Sequence, residues 1–286
     1  MISGPVRNVQ GILTIAHLTW MEARRKRTVL AALLCGLAFL AVFAVAAWFA
    51  INSGPRGGSL SLLQRQMMLQ TFTMVGLYAV NFFVVAIAVI LPVDTLSGEI
   101  ASGTIQTIAS KPVNRADIVL GKWLVHALMI AGYLAVMAGG ILLIMWVIAG
   151  FVQRNVPSGL ALMLLEALVL LTVTIAGGVR FSTVTNGIVA FGLYALAFIG
   201  GLIEQVGVFV GNSTSRYIGT AISLVSPTDA LWRLAAHELL PPFMSQLQAG
   251  PFASASTPSA AMVWWSVGLM IAVLMLGIRG FQKRAL

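Results

Sequence analysis

The chain has 286 residues, 59% of them hydrophobic and only 9% charged, against about 25% charged in soluble domains; this is the composition of a membrane protein. The net charge of +9 comes from basic residues beside apolar runs, where anionic lipid headgroups attract them, so it does not call for a nucleic-acid partner. A single cysteine, Cys35, excludes a disulfide framework and any zinc or redox site built from cysteines alone.

In residues 1–28, Val6, Val9, Ile12, Leu13, Ala16 and Trp20 recur at helical spacing, with Arg7, Gln10, Thr14 and His17 on the other face. The pattern predicts an amphipathic helix lying in the membrane interface. Six apolar stretches then match the roughly 20 residues that a bilayer core demands of a helix: 29–51, 71–93, 123–151, 160–179, 184–208 and 259–278. The first is too long for the apolar part of a secretory signal, and its "RRKR" flank begins only after residue 23, so it reads as a retained span. The expected fold is an all-α integral membrane protein with one transmembrane domain over 1–286.

Between the second and third spans lies a polar insert, 94–122. Thr104 is placed to cap a short helix carrying Ile105, Ile108 and Ala109 on one face, and Pro112 turns Lys111 away from helical geometry. Asn114 and Asp117 are spaced like a capping box that starts the helix running into the third span. Nucleotide binding by the insert itself fails on chemistry. A phosphate-cradling loop needs two glycines and a hydroxyl residue after the lysine, but Ala116 stands where the first glycine belongs and Trp123 follows Gly121-Lys122.

Ionisable groups in hydrocarbon cost about 2.5–3.5 kcal/mol on insertion scales, so three are singled out. His126 reads as a packed or interfacial histidine. Glu166 and Glu204 lie about 9 and 6 Å from the outer ends of their spans at about 1.5 Å per residue. They either line the outer mouth of a substrate path or are satisfied by a threonine, an amide or Arg154. Methionines are spread along apolar faces without metal-binding spacing, so no metal site is expected.

The segment 212–258 predicts interfacial or re-entrant helices on the outer side. Ser226 is placed to cap, Pro227 to occupy the first helical position and Asp229 to complete the box, with Leu231, Trp232, Leu234 and Leu239 against lipid or the other spans and Arg233, His237 and Glu238 at the rim. Residues 249–258 read as a mobile connector. An even number of spans puts both termini on one side. Twelve lysines and arginines then face that side, including Lys26, Arg115, Lys122 and Arg180, against five on the other, so the termini are expected in the cytoplasm.

The spacing of Glu99, Gly103-Thr104, Pro112-Val113, Arg115, Ile118 and Gly121-Lys122 resembles the permease subunits of ABC-2 type transporters, particularly the branch associated with multicopper-enzyme maturation. "TIAHLTWMEARRKR" and "SLVSPTDALWRLA" are similar to the family more weakly. The resemblance implies a noncatalytic permease, working as an exporter, in a bacterial or archaeal cytoplasmic membrane. It implies a second permease copy and two separate cytoplasmic ATPase subunits that carry ATP and Mg. By the same resemblance the 94–122 insert is the coupling element, with Glu99, Gly103, Thr104, Lys111, Pro112 and Arg115 as its residues, and Glu99 and Arg115 as contacts or internal braces. The alternative is an ATP-independent secondary carrier. It is weakened because the two halves of the chain show no paired Gly/Pro breaks.

Overall fold

The computed structural model describes residues 5–24, 26–52, 61–104, 114–241 and 256–284, and the side chains of all these except 5–10. The described residues contain no strand. Their helices are α1 (Pro5–Ala23), α2 (Arg27–Asn52), α3 (Leu62–Ile90), α4 (Ser97–Ala101), α5 (Arg115–Ala149), α6 (Val156–Gly178), α7 (Thr183–Val210), α8 (Ser213–Val225), α9 (Thr228–Leu239) and α10 (Ala261–Lys283). Six of them, α2, α3, α5, α6, α7 and α10, are long and apolar enough to cross a bilayer. The protein is a multi-pass, all-α membrane protein, and each predicted span overlaps one of these helices.

The helices outrun the apolar runs where caps allow it. α3 begins at Leu62 rather than Thr71 because Ser61 and Gln64 form a reciprocal capping box, with the Ser61 hydroxyl accepting from Gln64 N at 3.2 Å and Gln64 Oε1 accepting from Ser61 N at 3.0 Å. Two orphan amides are satisfied together, which carries the helix past the apolar boundary through Gln64, Arg65 and Gln66. α5 has 35 residues, about 52 Å at 1.5 Å per residue, and a hydrocarbon core of about 30 Å leaves several turns outside it. Gly150, at φ 64°, ends it in the left-handed conformation that a residue with a Cβ adopts only under strain.

More than half of the apolar windows of α3 and α6 is buried, against about a tenth in α2 and α10. The bundle therefore has α3 and α6 at its centre and α2 and α10 at its periphery. Met74, Leu77, Val80 and Val84 of α3 meet Ile130, Met137 and Ile141 of α5 and Met163, Leu170 and Leu171 of α6 in one contiguous core. α1 and the last turn of α10 lie at the same end of this bundle: α1 packs on the first half of α5, and Arg115 at the start of α5 donates to the carbonyls of Gln282 in α10 and Arg284 just after it.

α1 packs against the first half of α5. Gly121 makes this contact possible: a Cβ there would sit 2.9 Å from the Ile12 carbonyl oxygen and from Ile15 Cβ. The apolar residues of α1 divide between two surroundings. Ile15, Ala16, Thr19 and Ala23 are buried, whereas Leu13 and Trp20, assigned with Ala16 to one apolar face, are 57% and 41% exposed. The helix has two apolar surfaces, one for α5 and one left open. Val6 and Val9 lie among the side chains not described.

At the opposite end, α8 folds back on α7, and α9 inserts beside α6. α8 was not placed by sequence reasoning beyond the general expectation of helices in 212–258. Asn212 caps it, accepting from Thr214 N at 3.0 Å and Ser215 N at 3.3 Å. The predicted cap of α9 is corrected: the helix begins at Thr228 with Pro227 at the N-cap position, and no side chain caps it. Residues 242–255, most of the expected connector, lie outside the described residues.

Candidate functional site

The described parts of the polar insert, 94–104 and 114–122, form a folded knob at the end of the bundle that carries α1. After α3, Leu91 to Leu96 turn, and α4 forms where Gly98 N donates to the Asp94 carbonyl at 2.8 Å and Ser97 Oγ donates to the Val93 carbonyl at 2.8 Å. Sequence reasoning placed a helix after Thr104, and residues 105–113, including Lys111 and Pro112, lie outside the described residues. α4 was missed, being only 5 residues long. Gly103 follows it at φ 72°, a backbone geometry suited to a residue without a side chain. Thr104 shares a hydroxyl contact with Ser102 at 2.9 Å.

This knob is tied to four other elements. Lys122 of α5 forms an ion pair with Glu99 of α4 and donates to the Thr95 carbonyl at 3.3 Å. Lys122 is 3% exposed and the Glu99 side chain 16%. Asp94 pairs at 3.2 Å with Lys26, in the joint between α1 and α2. Thr183, the first residue of α7, shares a 2.9 Å hydroxyl contact with Ser97. Because Ser97 already donates to Val93, the Thr183 hydroxyl is the donor there. Asn186 of α7 donates to the carbonyls of Val93 at 3.3 Å and Thr174 of α6 at 2.8 Å. Glu99 and Arg115 are thus both engaged inside the chain, Arg115 by the carbonyls of Gln282 in α10 and Arg284 just after it, at 3.1 and 2.6 Å.

His126 sits one turn beyond Lys122 and is 2% exposed. Its Nδ1 faces the Lys122 carbonyl at 2.8 Å and its Nε2 faces Thr95 Oγ1 at 3.3 Å. A carbonyl can only accept, so Nδ1 carries the proton and Nε2 accepts from the threonine. The ring is a packed strut between α5 and the turn before α4.

The glutamates Glu166 and Glu204 occupy a second polar region toward the far end. Glu166 is 0% exposed; its Oε2 accepts from Asn81 Nδ2 of α3 at 3.1 Å. Glu204 is 8% exposed; its two oxygens accept from Arg233 Nη2 at 2.9 Å and Ser256 Oγ at 2.5 Å. Arg233 also pairs with Asp229 at 2.9 Å, one turn back on α9. The expected rim position of Arg233 is corrected: it is 3% exposed, because two carboxylates compensate its charge. Asp229, expected in a capping box, serves this pair instead. Burial pushes its carboxyl up from the ordinary 3.8 to about 6, against the pull of Arg233 and with a further push from Glu204.

The C-terminal end of α9 is held as firmly. Gln70 Nε2 of α3 donates to the Leu239 carbonyl at 3.1 Å, Gln153 donates to the same oxygen, and Asn155 Nδ2 donates to the Glu238 carbonyl at 3.2 Å. These amides satisfy carbonyls that a helix end leaves open. Leu231 and Leu239 are fully buried and Trp232 nearly so, which places them against the other spans and not lipid, with the Trp232 ring tilted against Tyr78 of α3 at 5.2 Å between ring centroids. Arg154 is exposed and pairs with neither glutamate among the described residues.

The structure thus separates the sequence-derived residues into two sets at opposite ends. Glu99, Gly103, Thr104 and Arg115 belong to the knob and its mounting, and Glu166 and Glu204 to the far region. The residues missed were the partners: Lys122 for Glu99, Lys26 for Asp94, Arg233 for Glu204 and Asn81 for Glu166. Among the described residues no group of three His, Cys, Asp or Glu side chains is placed to hold a metal ion.

A six-span bundle with this anchored insert can be compared with known families. Residues 13–286 match the model described as "ABC-2 family transporter protein". The chain belongs to the ABC-2 transporter family. As an ABC-2 permease it is a membrane transport component of an ABC transporter, which implies partners such as ATPase subunits, and it is not itself the catalyst. Comparison with curated proteins gives no match.

Proposed function

We propose that this ABC-2 permease pairs with a second copy of itself and acts as an exporter, driven by two separate ATPase subunits that bind ATP and Mg and dock on the 94–122 insert. Both termini and the insert face the cytoplasm of a bacterial or archaeal cell. The observation that carries this reading is the mounting of the knob: through Glu99–Lys122, Asp94–Lys26 and Ser97–Thr183 it touches α5, the α1–α2 joint and α7 together. A partner can bias a membrane protein only through contacts that differ between two states. A knob tied to several spans converts a local push into a displacement of all of them.

In this reading Glu99 and Arg115 are internal braces, leaving Thr104 and the neighbouring 105–113 segment with Lys111 and Pro112 as the docking surface. Glu166 and Glu204 stand by the outer part of the substrate path. To meet cargo they must first release Asn81 and Arg233, so we assign them to the path only in a second conformational state. The spacing from Glu99 to Lys122 favours the multicopper-enzyme-maturation branch within the family.

The test is to express the chain with the ATPase encoded beside it, purify the complex and reconstitute it. Glu99→Gln and Arg115→Gln are expected to leave the complex assembled while ATP hydrolysis loses its response to transport substrates. Transport by the chain alone, with no ATPase present, would instead establish a secondary carrier.

A further inference from the structure

Between α6 and α10, at the end that carries α1, the surface opens into a groove of about 200 Å³. Its walls are Val173 and Ala176 of α6 and Val273 and Leu276 of α10, with the Arg180 guanidinium at its mouth. The floor is shallow because Gly277 lies against Ala176, where a Cβ would come within 2.9 Å of the alanine Cβ. Arg180 lies over Gly280, its Nε and Nη2 at 3.7 and 3.8 Å from where a Cβ of that glycine would stand. The groove therefore runs from a cation at the membrane surface along apolar walls into the hydrocarbon.

The charges around it are one-sided. The chain has 8 acidic residues, and none falls between Glu166 and Glu204 or after Glu238, so α10, the second half of α6 and the first half of α7 carry no carboxylate. The five ion pairs among the described residues use Lys26, Lys122 and Arg233. The Arg180 guanidinium is in none of them and donates no hydrogen bond to a described residue; only its backbone N–H does, to the Gly177 carbonyl. Arg284, beside it, donates to the Val179 carbonyl, which adds a second positive group and no negative one.

We propose that this groove binds one anionic phospholipid of the adjoining leaflet, with its phosphate on Arg180 and the upper part of an acyl chain between Val273 and Ala176. Charge complementarity selects the headgroup, since basic pockets between spans attract anionic lipid, and the apolar walls select a lipid over a free anion. Occupancy buttresses the α6–α7 turn, the same turn that carries Thr183 and its contact with the knob. The site is independent of which ATPase docks or which cargo moves.

Native mass spectrometry of the full-length chain, titrated with dioleoylphosphatidylglycerol or dioleoylphosphatidylcholine, tests it. The first phosphatidylglycerol adduct is expected to bind about fivefold more tightly than the phosphatidylcholine adduct, the factor of one basic side chain near a membrane surface. Arg180→Gln removes that preference, Arg279→Gln on the exposed outer side of α10 keeps it, and Val273→Trp weakens the first adduct of both lipids by filling the groove. The proposal is overturned if Arg180→Gln retains the preference, if Arg279→Gln abolishes it equally, or if inorganic phosphate displaces the lipid at matched concentration.

Discussion

The Glu99–Lys122 pair lends itself to a quantitative test. Two unit charges about 3 Å apart attract by about 5–6 kcal/mol at an effective dielectric of about 20, and desolvation of both groups offsets most of that gain. Deleting one partner of a buried pair costs about 3–5 kcal/mol because the other charge is stranded. The two deletions are not equivalent here. Lys122 is 3% exposed and Glu99 16%, so Glu99→Gln strands the more deeply buried charge, which keeps only the Thr95 carbonyl. It is expected to cost about 3–4 kcal/mol, and Lys122→Gln, which leaves a carboxylate nearer water, about 2–3 kcal/mol. Equilibrium unfolding in mixed SDS micelles gives both values. The double variant is expected to recover at least about 1.5 kcal/mol relative to the sum of the singles. A coupling below about 0.5 kcal/mol, or the reverse order of the two singles, would refute the placement of this pair as the brace of the knob.

Arg233→Met leaves Asp229 and Glu204 as two buried carboxylates without their cation, and is expected to destabilise by about 3–5 kcal/mol in the same unfolding assay. For Asp229 the folded pKa of about 6 lies above the ordinary 3.8, so the folded chain holds the extra proton between those values. Its contribution to stability is greatest at the acid end, falls by about 3 kcal/mol as pH rises from about 4 to 6, and is flat above. Subtracting the pH profile of Asp229→Asn from that of the wild type should isolate this slope. Gly201→Ala places a Cβ only 1.7 Å from Asp229 Oδ2, so α9 must shift; increased protease cleavage in 226–240 is the expected readout. Gly121→Leu drives a side chain into the Ile12 carbonyl and should release α1, seen as faster amide exchange confined to residues 11–24.

The spans were legible because hydrocarbon imposes a single rule on every backbone group, and a run such as 71–93 has no other solvent in which to be stable. The surfaces of α1 were not legible for a related reason. Leu13 and Ile15 have the same affinity for an apolar surrounding, and sequence spacing does not distinguish lipid from the flank of α5. The capping box at Ser61 and Gln64 was readable from its S-x-x-Q spacing, yet the apolar boundary ten residues later dominated the assignment. Pairings such as Glu204 with Arg233, 29 residues apart, leave only one local trace: two opposite charges where solvent is scarce. In α9 the S-x-x-D spacing at 226–229 gave the right helix for the wrong reason, since Asp229 is spent on Arg233 instead of on a backbone amide. The knob was recognisable as a separate piece from its polarity, whereas its mounting depended on Lys122, which sequence reading used in the family spacing and the charge count but not as the partner of Glu99.

α9 resembles a beam fixed at both supports. Its first half is bolted to α7 through Arg233 and Glu204, and its other end to α3 and the α5–α6 junction through three amides. Such a beam cannot swivel alone: the mouth of the bundle opposite α1 opens only when one of these supports lets go, or when the spans bearing them travel as one body. The polar bolts at that mouth therefore set which of the surrounding helices can part company, and in what order.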